Sequence, residues 1–139
     1  MIIKLKIGEI PVLFIYQFED FFGNSLHQYI TEELPDNHHV LEVHVKDKIK
    51  DIIGGDKFVF KNKVRIRKNQ LTYIVAYNPE GKIKHMISYT NDYKHIIITL
   101  NKNIGKKLAE SEYVLSGMMF FEIAINNRYL PIHASAIAR

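Results

Sequence analysis

The sequence contains no cysteine, which removes disulfide frameworks, thiolate metal sites and cysteine nucleophiles together. It also lacks any stretch near the roughly 20 consecutive apolar residues needed to span a bilayer. The first residues, Met1-Ile2-Ile3-Lys4-Leu5-Lys6-Ile7, alternate apolar with basic side chains instead of forming the continuous core of a signal peptide. No internal repeat, low-complexity tract or linker divides the chain. The expectation is a cytoplasmic protein without membrane contact.

A phosphate-binding loop is missing as well. That loop needs backbone N–H groups converging on phosphate, a lysine reaching the terminal phosphates, and a hydroxyl for Mg²⁺. The nearest string is Asn103-Ile104-Gly105-Lys106-Lys107. Leu100 stands where its first glycine belongs, and no Ser or Thr follows the lysine. Gly105-Lys106 reads instead as a turn leading into a helix, so kinase activity is not expected from these residues alone.

What is present is one domain's worth of core. The 139 residues are 47% hydrophobic and 24% charged, which excludes disorder and fits an ordinary globular domain. The first hundred residues read as strands. Ile2 to Ile7 and Ile10 to Ile15 flank Gly8-Glu9, a hairpin turn. Phe18 to Gly23 is an aromatic-acidic turn, Ser25 to Ile30 allows one or two helical turns, and Pro35-Asp36 marks a loop. In Val40 to Val45, Leu41, Val43 and Val45 share one face while Glu42 and His44 share the other. Beyond Gly54-Gly55, strands near Phe58–Phe60, Val64–Arg67, Leu71–Tyr77, Ile83–Tyr89 and Tyr93–Leu100 recur about every ten residues, as in an antiparallel meander.

From about Lys106 the apolar period changes. Leu108, Tyr113, Val114, Leu115, Met118, Phe121, Ala124 and Ile125 recur at three- and four-residue intervals, and Met119, Phe120 and Ile123 fill much of the rest. The spacing predicts a long buried helix over 106–128, wet on a narrow stripe only. The fold class is therefore α+β in a single domain, 1–139: an antiparallel β-rich meander, one buried helix, and a short C-terminal strand over 129–138.

Candidate chemistry is sparse. The net charge of +4 is concentrated between Lys46 and Lys68, where Lys63, Arg65 and Arg67 share one strand face. With no aromatic residues interleaved among them, these cations read as a solvated face, and nucleic-acid binding is a minor hypothesis. His38 and His39 point to opposite sides of a strand, and His39 and His44 differ by an odd number, so a metal site is not expected there. His27, His85 and His95 receive no role. Glu122 in the apolar helix is read as facing water on the polar stripe; if buried, its partner would be Arg128 or His133. Ser135 has no strained elbow around it and no specified base.

The stretch from Met118-Met119-Phe120-Phe121 through Leu130-Pro131-Ile132-His133-Ala134-Ser135-Ala136-Ile137 resembles the helix and strand that precede the phosphate loop in HPr serine kinases and ATP-dependent phosphoenolpyruvate carboxykinases. Carboxykinases carry a His-Cys-Ser-Ala-Asn version of residues 133–137. The first hundred residues resemble the N-terminal part of HPr-kinase-related bacterial proteins in style, without a sharp motif. The resemblance implies that His133 is the catalytic and metal-site residue, ligating a divalent cation or contacting the transferred phosphoryl group. Ser135 matches in position with no implied role. ATP and Mg²⁺ would be cofactors only with a phosphate-loop half supplied, since none follows before Arg139; this chain alone implies no cofactor. A buried histidine near a strand start is the plainer reading of His133 in the isolated chain.

Three readings follow. The chain is the non-catalytic N-terminal portion of an HPr-kinase-like phosphotransferase, pairing through strand 132–138 with a catalytic half or another copy. Otherwise it is a stand-alone interaction module with a closed surface. The third reading is a weak nucleic-acid binder through Lys63, Arg65 and Arg67.

Overall fold

The computed structural model describes residues 1–19, 21–104 and 107–128. Ten elements follow in order: β1 Ile2–Ile7, β2 Ile10–Ile15, a 3₁₀ helix Gly23–Tyr29, β3 His39–Lys46, β4 Asp56–Phe60, β5 Lys63–Lys68, β6 Leu71–Tyr77, β7 Ile83–Thr90, β8 His95–Asn101 and α1 Leu108–Asn126. The architecture is α+β, with one eight-stranded sheet in the order β1-β2-β3-β8-β7-β6-β5-β4.

The turns follow their local chemistry. Gly8, at φ 64°, closes β1 onto β2. Asn78 caps the β6–β7 turn, its side-chain oxygen accepting from the backbone N–H groups of Glu80 and Lys82 at 3.0 and 2.8 Å. Gly81 there sits at φ 83°, a conformation glycine adopts without steric cost.

The expected all-antiparallel meander holds for β4 to β8 but not for the whole sheet. β3 lies between β2 and β8 and runs parallel to both. Parallel pairing needs a long crossover, which residues 16–38 provide between β2 and β3. Local alternation reports which face a residue takes, not which strand lies beside it.

The two sheet faces carry separate cores. On the front face, Leu5, Val12, Phe14, Leu41, Ile96 and Ile98 pack under Leu115, Met119 and Ile123 of α1. On the back, Ile66, Val75, Ile83 and Met86 are covered by Ile49 and Ile52 of the loop after β3. α1 packs on β8 and β3; the front of β4 and β5 stays exposed, whereas Thr72, Ala76 and Ile87 on the front of β6 and β7 are buried.

α1 is less buried than its composition suggests, and it buries a different side. The inward side is Glu112, Leu115, Ser116, Met119 and Ile123. Val114, Met118, Phe121 and Ile125, all part of the expected core periodicity, are about half exposed. Because the helix is apolar on nearly every side, hydrophobicity could not select which side faced the sheet. The expected strand 129–138, the Gly105-Lys106 turn, His133 and Ser135 lie outside the described residues.

Candidate functional site

The exposed front of β4 and β5 is organised by strand register. β4 and β5 pair antiparallel around Lys61-Asn62, placing Phe60 opposite Lys63 and Phe58 opposite Arg65. β5 then pairs with β6 so that Lys63, Arg65 and Arg67 face Ala76, Ile74 and Thr72. Directly paired residues share a face, so two phenyl rings and three cations project from the same surface. Phe58 and Phe60 are 62% and 59% exposed, and the three cations are exposed too. None of the three forms an ion pair among the described residues.

Two adjoining depressions result. One, of about 260 Å³, is lined by Phe58, Phe60, Lys63, Arg65 and Ile74. The other, of about 210 Å³, is lined by Arg65, Arg67, Thr72, Tyr89, Asn91 and Tyr93. Arg65 lies in both, and neither lining contains a carboxylate. Arg67 donates to the Asn91 side-chain oxygen at 3.1 Å, which holds its guanidinium beside the second depression. Tyr89 and Tyr93 stack with ring centroids 4.8 Å apart. Burial, then the neighbouring Tyr89 and Glu122, pushes the Tyr93 hydroxyl up to about 12, so it stays protonated. Burial, then Lys84 and Lys63, pushes the nearby His85 imidazole down to about 4, so it is neutral at pH 7.

No aromatic residue stands between Lys63, Arg65 and Arg67 along β5, as the sequence shows, but aromatic side chains stand beside them. The rings come from the preceding strand, opposite the cations and not between them in sequence. The two-residue turn at Lys61-Asn62 carried that signal, because it fixes which β4 residue faces which β5 residue.

The remaining candidates are structural. His39 is buried; its Nδ1–H donates to the Tyr93 carbonyl at 2.6 Å, and its Nε2 accepts from the Asn127 amide at 3.1 Å. Burial lowers its pKa, so both ring nitrogens serve the link between β3, the β7–β8 turn and the end of α1. His44 and His95 both approach the Glu42 carboxylate on the back face, His44 at 3.4 Å and His95 in a short hydrogen bond. The His95 hydrogen bond is the main cause holding the Glu42 carboxyl below its ordinary range. Each presents its Nε2 to that carboxylate, and among the described residues no cluster of three His, Asp or Glu groups suits a metal ion.

Glu122 is partly exposed and lies near enough to the Tyr93 hydroxyl to help raise its pKa; among the described residues it forms no ion pair with Arg128. The carboxylate that sequence reasoning missed is Glu112. It is fully buried and accepts from the backbone N–H groups of Gln17 and Phe18 at 2.6 and 2.9 Å. A glutamate at i−3, i−7 and i−11 from Leu115, Met119 and Ile123 was the available signal. No helix among the described residues is long and apolar enough to cross a membrane. Comparison with family models, with curated proteins and with solved structures finds no match.

Proposed function

We propose that this chain is the non-catalytic, β-rich portion of an HPr-kinase-like ATP-dependent phosphotransferase, cytoplasmic and inactive by itself. The observation that carries the reading is the apolar stripe on the outer side of α1. Val114, Met118, Phe121 and Ile125 recur at four-, three- and four-residue steps, the spacing of a helix seam. Each is about half exposed, and exposed apolar side chains at this spacing suit a surface made for another protein. α1 also leads in sequence into Leu130–Ile137, the segment that carries the resemblance.

In such an assembly the β-rich body supports α1, and α1 docks the phosphate-loop half. His133 would supply an imidazole to a divalent cation or to the transferred phosphoryl group. ATP and Mg²⁺ belong to the half that carries the loop. The second reading, a stand-alone interaction module, draws on the two cores packed on the sheet, one under α1 and one under Ile49 and Ile52; its partner would cover the same stripe.

The test joins this chain to the phosphate-loop half of an HPr-kinase-like protein and measures phosphoryl transfer from ATP. His133→Ala is expected to cut transfer strongly, while changing the stability of the isolated chain by no more than about 1–2 kcal/mol. Undiminished turnover would remove His133 from the site. Failure of the two parts to associate, with a different protein captured through α1, would favour the interaction module.

A further inference from the structure

The geometry points to a binding site for single-stranded nucleic acid on the exposed front of β4 and β5 and the depressions beside it, distinct from α1. Lys63, Arg65 and Arg67 occupy alternate positions of β5, so the strand's own repeat sets them about 6.7 Å apart in a line. An extended phosphate backbone can follow such a line. Phe58 and Phe60 stand beside that line on the neighbouring strand, opposite Arg65 and Lys63. They have little structural reason to be there: both phenyls are mostly exposed on a strand with no buried residue. Lys61 adds a fourth cation, its ammonium 5.6 Å from the Phe60 ring centroid.

The class of ligand follows from this pairing of groups. Cations alone would suit any polyanion, and exposed rings alone any apolar partner. Cations in register with rings suit a chain whose units each carry a phosphate and a stackable base. Duplexes are disfavoured because their bases are already stacked and the depressions are shallow. Asp56, opposite Arg67 at the end of the same face, bounds the basic line on that side. Nothing in this site uses the resemblance to kinases, so binding and phosphoryl transfer stand or fall separately.

Fluorescence anisotropy of the full chain with a labelled single strand of about 12 nucleotides tests the site. With three phosphates neutralised, log K against log salt should have a slope of about −2. Arg65→Ala or Arg67→Ala should each flatten that slope by about 0.7. The double change Phe58→Ala with Phe60→Ala should weaken binding roughly ten-fold or more and leave the slope unaltered, as loss of stacking requires. Circular dichroism confirms folding of each variant, and the exposure of all four positions makes loss of fold an unexpected result. The inference is overturned if the single strand does not bind at low salt. It is equally overturned if heparin or duplex binds as tightly, or if the double phenylalanine variant binds like the parent.

Discussion

Replacing Glu112 with alanine should destabilise the chain by about 3 kcal/mol. The carboxylate is fully buried in α1 and receives two backbone N–H groups from the segment after β2, Gln17 at 2.6 Å and Phe18 at 2.9 Å. Hydrogen bonds to a charged acceptor contribute roughly 1.5–3 kcal/mol each, so the gross loss is about 3–6 kcal/mol. Two effects offset it. Removing the carboxylate also removes the cost of burying a charge, and the exposed Gln17 lets its N–H regain water. About 3 kcal/mol remains, which for a chain of this length lowers Tm by about 10 °C. Glu112→Gln keeps the shape and one acceptor but turns an amide donor toward one of the two N–H groups, so about 2 kcal/mol is expected. Urea denaturation followed by far-ultraviolet circular dichroism gives both values at unchanged m. An alanine variant within about 0.5 kcal/mol of the parent would refute the view that this contact pins α1 to the segment after β2.

The orientation of α1 gives a paired prediction. Met119→Ala should cost about 2–5 kcal/mol because it empties the buried side, whereas Phe121→Glu should change stability by no more than about 0.5 kcal/mol while abolishing association through the stripe. The reverse order in urea denaturation would show that the other side of the helix is buried. His85 should make the protein acid-sensitive. Its folded pKa of about 4 lies below the unfolded value of 6.5, so the unfolded chain takes up the proton first as pH falls. Its contribution is intact above about pH 6.5 and lost progressively toward pH 4, amounting to about 2 kcal/mol between pH 7 and pH 5. In His85→Leu that part of the pH dependence should vanish; an unchanged profile would show that His85 is not desolvated.

The hairpins were readable because their turns are local. Gly8-Glu9 and Asn78-Pro79-Glu80-Gly81 specify reversals with residues a few positions apart; the reversal expected at Lys61-Asn62-Lys63 is one residue shorter, Lys63 already pairing with Phe60 in β5. The parallel placement of β3 was not readable, since its partners β2 and β8 are remote in sequence. His39 shows the same limit. Its sequence neighbours suggested only that it shares no face with His38, while its actual partners, Tyr93 and Asn127, lie more than fifty residues away.

The sequence by itself determined the class of the molecule: an α+β chain in which strands precede a long helix, because period two and period three-to-four are properties of consecutive residues. It also excluded cysteine chemistry outright. Tertiary structure alone decided which side of α1 meets the sheet, since a helix apolar nearly all round carries no preference of its own. It alone decided that Glu112 is buried against backbone N–H groups and that Phe58 and Phe60 stand among the cations of β5. Those outcomes depend on which strands become neighbours and in what register, and a side chain acquires its surroundings only when that pairing is fixed.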